Sequence, residues 1–461
     1  MKLRILSALI ILFTVSAFST TKAQTTYRTD WFDHTKDWYL IVTTQTGMHT
    51  IDMGYLIGQG FPDNSVDKDD LQVFYNGKEI PIELRQQQSG PIAEGDSLIF
   101  FGKRNDGKDE LWAYGYDEKN QASDYYSAYS DSSYYWVTYS SDAQPLRYSE
   151  EFPNPTNTFF SGYRDTVHRQ NNTNDYYLGH GNEAELSTIS ESEGYYWYSI
   201  DLAATQSKDV DLNGNMNYLA LVDSAIYVRS RFASRSDGLR TSRINLRYNK
   251  NGSIAYHTIG ELEWINKGGA VATGEVSPVD LVNYDNLNFT FKLINGNSGG
   301  TFQNAHLVNF DFFEYSYFRE FGFVNNNLQS HFYIRPDGFR SVKMQNSGLN
   351  DKVSIYLPDE GRKIEAVAEE DGAVFLDDQT ASKRKQYAVV KNNGFRSPVA
   401  LHRYQPQQDL LSSSNKGSFL ILTRRAFAEE AQNYANYRRL KNNISTKVVF
   451  MDDVWRIFGY G

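Results

Sequence analysis

The sequence predicts a mainly β protein that switches to an α/β pattern from residue 412 onward. Three observations carry this reading. Short apolar and aromatic runs, punctuated by Gly, Asn and Asp, recur from Tyr27 to about residue 410. Aromatic residues make up 15% of the chain and Tyr (33) outnumbers Phe (28), which suits half-buried strand faces where the ring packs and the hydroxyl stays wet. After the polar linker Ser412-Ser413-Ser414-Asn415-Lys416-Gly417 the order becomes strand, helix, strand.

The 461 residues suggest two to four domains, at roughly 100–200 residues each. With no Cys, a disulfide scaffold, a Cys-ligated metal centre and a thiol nucleophile are excluded within this chain. The formal charge of −10 speaks against a phosphate-neutralising surface, so nucleic acid is not an expected partner. Lys2 and Arg4, the apolar stretch Ile5 to Phe18 and the small residue Ala23 read as a signal peptide over residues 1–23. No later run approaches the ~18 apolar residues of a membrane-spanning helix, and export is expected.

Residues 24–149 read as a small N-terminal β domain. Trp38-Tyr39-Leu40-Ile41-Val42 is a strand, Gly47 breaks it, and Met48 to Ile51 resumes. Leu71 to Tyr75, the Asn76-Gly77 turn and Ile80 to Leu84 form a hairpin. Ser97 to Phe101 and Tyr134 to Tyr139 complete the domain. Residues 150–330 read as a larger β-sandwich or jelly roll. Its strand candidates are Tyr195 to Ile200, Tyr218 to Val222, Ala225 to Val228, Ile244 to Tyr248 and the largely alternating Val308 to Tyr317. Residues 331–411 continue in β style with Val353 to Tyr356, Ala373 to Leu376 and Tyr387 to Val390. In residues 412–461, Phe419 to Thr423 is a continuous apolar strand of the kind buried on both faces. Phe427, Ala431, Tyr434 and Ala435 then share one helix face, Thr446 to Phe450 is a second strand, and Asp452 is a candidate cap for a short helix over Val454 to Phe458. A parallel sheet needs several strands covered by helices, so a lone βαβ unit suggests the front part of a longer protein.

Few motifs point to chemistry. Asp209-Val210-Asp211-Leu212-Asn213-Gly214 matches the first half of a calcium loop, but position twelve is Ala220, where a bidentate Glu is needed. An ordinary strand entering an Asn-Gly turn is the preferred reading. His168 and His180 flank a polar stretch with Asp175, Glu183 and Glu185, but at no recognised metal-ligand spacing, so a surface loop is expected. His34 and His49 are isolated, and no Ser sits in a nucleophile elbow. The clusters Tyr125-Tyr126, Tyr129, Tyr134-Tyr135-Trp136 and Tyr195-Tyr196-Trp197-Tyr198 should turn half their rings into the core. The outward rings are candidates for stacking on sugars or on a partner protein. No catalytic, cofactor-binding or metal-ligating residue is assigned.

Four stretches carry a family likeness: Trp38 to Ile51 with Leu56 and Gly60; Leu71 to Pro81; Ser192 to Tyr198 together with Phe310 to Arg319; and Gly417 to Phe458. On these the chain resembles the N-terminal half of the gingipain family of cysteine peptidases, with its nearest likeness to the long sortase-type members of the type IX secretion system. The resemblance implies that residues 412–461 open a caspase-like α/β domain whose catalytic His and Cys lie on later strands, beyond residue 461. It also implies a protein substrate or envelope partner, and a periplasmic, outer-membrane-surface or extracellular location. No position here matches the catalytic pair, so this chain is expected not to cleave peptides. A non-enzymatic glycan- or envelope-binding module is the alternative, and a β-sandwich glycosidase would need a carboxylate pair that the sequence does not single out.

Overall fold

Strand formation dominates the chain, as its aromatic alternation predicts. The structure, a computed structural model, describes residues 29–461 apart from 109–120, 122–124, 128, 172–174, 177–194, 202–206, 213–215, 221, 223, 235–239, 251–252, 265–267, 279–284, 296–306, 325–326, 349–351, 371, 407–408 and 414. Two units are present. The larger holds Trp38–Phe74 and Glu79–Tyr404; the smaller holds the described N-terminal residues, 29–37, with Tyr75–Lys78 and Gln405–Gly461.

In the larger unit, the first strand Trp38–Thr43 lies between Ser133–Tyr139 and Ala400–Tyr404, antiparallel to both. Leu40 faces Trp136 on one side and His402 on the other. The run Trp38 to Ile41 is buried throughout, and Trp136 packs edge-on against Trp38 and Tyr404. Asn76 and Gly77 both adopt positive φ (47° and 70°), as an Asn-Gly turn requires, but the return strand expected over Ile80 to Leu84 departs from the hairpin: Ile82–Arg85 pairs with Ser97–Gly102 instead. A second sheet orders Gly47–Asp52, Ser97–Gly102 and Ile82–Arg85.

The sandwich follows. One sheet orders Tyr198–Asp201, Leu307–Arg319, Ile226–Ser234 and Gly268–Val276, with Tyr163–Gln170 also pairing with Leu307–Arg319. The facing sheet orders Ser207–Leu212, Asp285–Asn295, Arg240–Lys250 and Ser253–Trp264. Phe232, Phe310, Phe313 and Tyr315 from the first sheet meet Ile244, Leu246 and Ile259 from the second in one core. At one corner the strands of the two sheets nearly touch. A side chain at Gly260 would stand 2.1 Å from the Thr273 carbonyl, and one at Gly274 would stand 2.4 Å from that of Ile259. Only glycine permits that approach. Of Tyr218 to Val222, expected as a strand, the described residues form none: Tyr218 lies in a turn with φ 55° and Leu219 makes a single bridge.

Two further sheets share a core built on Phe321, Phe332, Ile355, Phe375 and Tyr387. In the larger one, Arg362–Glu365 takes Ser149–Glu151 as a parallel edge neighbour. Arg362 is buried and binds Glu151 (Nε–Oε1 2.8 Å), Asp377 (3.0 Å) and Glu360 (3.2 Å). Asp377 in turn accepts from the Tyr387 hydroxyl at 2.6 Å. The next residue, Lys363, binds Glu150 (2.8 Å), Glu365 (3.0 Å) and Glu83 (3.2 Å). Burial alone would strip both cations of charge, but the surrounding carboxylates outweigh it and hold both more firmly protonated than in water.

The smaller unit holds the parallel pair Phe419–Thr423 and Thr446–Phe450, with the helix Ala428–Asn442 between them in sequence and Met451–Phe458 after them. Asn443 closes the longer helix in the left-handed conformation. Ala431, Ala435, Val448 and Ile421 pack together. The other face differs from the sequence expectation of two-sided burial: Leu420 and Leu422 are 56% and 54% exposed. The crossover helix covers one face; on the other, Val449 is buried and it is the first strand's Leu420 and Leu422 that stay open. Phe427 and Tyr434 are also largely exposed, so the helix buries its alanines rather than its rings. Asp452 does not cap the last helix. That helix starts at Met451, and Asp452 and Asp453 lie in its first turn, where acidic charge suits the helix dipole. The Trp31 indole donates to the Ile457 carbonyl at 3.3 Å, so the N-terminal segment is part of this unit.

Two predictions follow from burial in the larger unit. Replacing Arg362 with Met leaves Glu151, Glu360 and Asp377 facing one another, and urea unfolding at pH 7 should show a loss of about 3–5 kcal/mol. Burial, with Arg396 nearby, also pushes His49 and His331 down to about 4. Unfolded imidazoles bind protons below about pH 6.5 and these only near 4, so their contribution is full above 6.5 and lost as pH falls to 4, by roughly 3 kcal/mol each. The double variant His49→Gln/His331→Gln should flatten the urea midpoint across that window; an unchanged slope would show that other groups set it.

Candidate functional site

The carboxyl ends of parallel strands are where open α/β sheets place their ligands. Here Arg425, just after the first strand, donates to Asp453 Oδ1 at 2.6 Å, just after the second. Asp453 is fully buried, so this pair ties the two strand ends together. On the bare side of the sheet a hollow of about 290 Å³ is lined by Leu410, Leu420, Val449, Val454 and Phe458, with Lys416 and Lys447 at its rim. The Thr35 hydroxyl donates to Asp33 Oδ1 at 2.6 Å, but this is an exposed local turn contact. The unit offers a scaffold and an apolar surface.

A cluster of ionisable groups that includes a histidine lies elsewhere, on the sandwich strand Leu307–Arg319. Its alternation slips once. Ser230 pairs with Phe313 and Phe232 with Phe310, so Asp311 and Phe312 together oppose Arg231. This bulge keeps Val308, Phe310, Phe313, Tyr315 and Tyr317 in the core and leaves Asp311, Phe312 and Glu314 on the other face. There Arg229 grips Glu314 with two bonds, Nε at 2.7 Å and Nη2 at 3.1 Å. His168 Nδ1 lies 3.4 Å from Glu314 Oε2, and its Nε2 lies 2.9 Å from Gln170 Oε1. Gln170 also donates to the fully buried Asp311 at 3.3 Å. Tyr125 stacks on the His168 ring at 4.0 Å and 9°, and Phe312 packs against it at 4.9 Å. Burial raises the Glu314 carboxyl, yet the bonds from His168 and Arg229 prevail and hold it below the usual carboxylate range.

A carboxylate orienting an imidazole is the geometry of a general base. In this structure, however, the His168 side chain is only 2% exposed and lies against Tyr125, so no substrate reaches it. The cluster therefore fixes the strand faces. His168, expected beside a polar surface loop, lies in the strand Tyr163–Gln170, and its partner Glu314 is far away in sequence. Asp311 and Glu314 sit inside the aromatic run from Phe310 to Tyr317, where two acids in an apolar strand were the available signal.

The other sequence candidates are dispersed. Asp209, Asp211 and Leu212 lie in a strand paired with Lys292, Thr290 and Phe289, an extended path rather than a loop, while Asn213 and Gly214 lie outside the described residues. His180, Glu183 and Glu185 also lie outside them. No group of three metal-ligating side chains occurs among the described residues. Tyr135 and Trp136 are buried, whereas Tyr129 is exposed. Trp197 and the partly exposed Tyr198 lie nearly parallel, 5.6 Å apart, beside Phe310. Arg229→Met, Glu314→Gln and their combination should give a coupling energy of about 1–3 kcal/mol in a double-mutant cycle. Zero coupling would mean that the pair does not hold these strands.

No protein-family model matches the chain, and no curated protein matches it. Among solved structures, the fold is similar to dimeric latent PorU from Porphyromonas gingivalis, at a TM-score of 0.57 and 16% identity, over 92% of this chain and 38% of that one. The tandem CBM22 domains of Paenibacillus barcinonensis Xyn10C align over 61% of this chain and 78% of theirs, at a TM-score of 0.23 and 9% identity. The Clostridium thermocellum xylanase Xyn10B aligns over 25% of each chain, at 0.17 and 9%. Scores that low do not describe a shared fold. The β-rich fold of this chain is that of a PorU-like protein, and the chain spans little more than a third of PorU.

Proposed function

We propose that this chain is the β-rich N-terminal region, together with the opening βαβ unit, of an exported gingipain- or sortase-type cysteine peptidase acting in type IX secretion. The observation that carries this reading is the PorU-like fold across nearly all of the chain, joined to a parallel strand pair that leaves Leu420 and Leu422 bare. A parallel sheet is stable when both faces are covered, and the further strands and helices of such a domain would cover this one. The β sheets would serve to position that domain and its protein substrate. The catalytic thiolate and imidazole would come from sequence beyond residue 461, so the chain by itself should be inert in proteolysis. A glycan-binding module remains the second reading, favoured by the parallel Trp197 and Tyr198 rings.

Reading the genomic frame past the codon for Gly461 should reveal continued coding sequence with a His and a Cys at the ends of later strands; a stop codon there would remove the peptidase reading. The purified 461-residue chain should release no product from peptide substrates, and limited proteolysis should trim it to within about residues 405–418, because among the described residues Phe419–Thr423 and Thr446–Phe450 pair only with each other. A protected C-terminal end would contradict the reading of an unfinished domain. Loss of glycan-array binding on Trp197→Ala would favour the second reading instead.

A further inference from the structure

Three loops meet at one end of the core built on Phe321, Phe332, Ile355, Phe375 and Tyr387. Gln329–Ile334 and Val353–Leu357 both run antiparallel to Lys385–Lys391, so the loops 335–340 and 358–361 that leave them lie beside the loop 377–384 that enters it. Two of these loops are bonded together. Thr380 Oγ1 donates to the Asp337 carbonyl at 3.0 Å, and the Ala381 N–H donates to the Pro336 carbonyl at 3.1 Å. Within the first loop, Asp337 Oδ1 accepts from the Phe339 and Arg340 N–H groups at 3.0 and 2.9 Å, and Oδ2 accepts from Arg340 Nε at 2.7 Å. Gly338, at φ 77°, lies so close to the neighbouring loop that a side chain there would stand 2.9 Å from the Asp378 carbonyl. The turn is held from both sides, yet Phe339 at its tip is 76% exposed. A large ring fixed in one pose in water has the form of a preorganised binding anchor.

Joined to this turn through Thr380 is a hollow of about 360 Å³, lined by Asp359 and Glu360 from one loop and by Thr380, Ser382, Lys383 and Arg384 from another. Lys383 to Lys385 is the one run of three consecutive cations in a chain whose formal charge is −10. Lys385 binds Glu360 at 2.9 Å, and Glu360 also accepts from Arg362 at 3.2 Å. Lys383 and Arg384 are exposed and form no ion pair among the described residues. We infer that this loop cluster docks an acidic segment of a partner protein, with an apolar side chain on the Phe339 ring and carboxylates on Lys383 and Arg384. Charge selects the partner: two unpaired cations on a net-negative protein attract acids, and charge-assisted bonds to carboxylates are the strong ones. Asp359, in the same hollow, disfavours a ligand that is anionic throughout, such as a polyuronide, but accepts from the N–H groups that a peptide carries. A concave polar hollow is also the wrong shape for a lipid surface. The site lies wholly on the larger unit and requires no catalytic domain.

Fluorescence anisotropy on the full 461-residue chain tests this, with a labelled peptide in which glutamates and leucines are interspersed with glycines as the probe. The expected result is saturable binding that weakens as salt rises. Phe339→Ser and Lys383→Glu/Arg384→Glu should each weaken it about tenfold, the loss of one anchor. Tyr256→Ser removes an exposed ring on another sheet, and Lys68→Glu/Lys103→Glu makes the same charge change at exposed positions elsewhere; both should bind like the parent chain. Exchanging the peptide's leucines for serines should abolish the difference between Phe339→Ser and the parent, and exchanging its glutamates for lysines should abolish binding. No saturable binding at low salt, binding indifferent to the two loop variants, equal loss in the control variants, or equally tight binding of polygalacturonate would each overturn the inference. Unchanged far-ultraviolet dichroism in the loop variants, whose substituted side chains are all exposed, separates loss of the site from loss of folding.

Discussion

Two consecutive cations on one strand, Arg362 and Lys363, are the constraint on which the larger unit depends. Neighbouring residues of a strand project to opposite faces, so the two buried charges cannot share partners. Each requires its own acids on its own side, and the chain supplies them from far away. Glu151, Glu360 and Asp377 gather at Arg362, while Glu83, Glu150 and Glu365 gather at Lys363. The edge strand Ser149–Glu151 brings a matching pair of consecutive acids and lies alongside in parallel. A slip of one residue would exchange the two faces and set each acid away from its cation, so the pairing register is pinned electrostatically as well as by packing. Arg at the first position answers carboxylates in a forked geometry that Lys cannot supply.

Much of the architecture was legible because it is local. The Asn76-Gly77 turn, the inward Tyr135 and Trp136, the sandwich strands and the closing βαβ unit all follow from periodicity and turn chemistry over a few residues. What escaped has distant causes. Arg362 reads as an ordinary surface charge, since its partner Glu151 lies far away in sequence. The alternation from Val308 to Tyr317 conceals the slip at Asp311 and Phe312, because a bulge is defined by the partner strand, not by its own. Tyr218 to Val222 looks like a strand by composition, but Tyr218 lies in a turn and its hydroxyl donates to the Phe323 carbonyl at 3.0 Å. The strand Phe419–Thr423 has the composition of a doubly covered strand, yet the covering layer on one side is absent from the described residues.

The candidate site was less legible than the fold. Of the described sequence candidates, His168 and Tyr125 fall within the charged cluster, and the structure gives His168 a fixing role under the Tyr125 ring. Chemistry that depends on a Cys cannot be read from a chain that has none. The functional reading therefore rests on architecture: a PorU-like β fold and a parallel strand pair that leaves Leu420 and Leu422 exposed.

The pairing of Trp38–Thr43 with Ala400–Tyr404 carries a consequence for the order of events during synthesis. One neighbour of the first strand, Ser133–Tyr139, emerges early; the other emerges only after nearly all of the β region has been made. At ~5–20 residues per second the first strand waits on the order of tens of seconds with one side unsatisfied. Such long-range closure raises contact order and slows folding. The N-terminal sheet is thus the first part of the protein to appear and among the last to be finished.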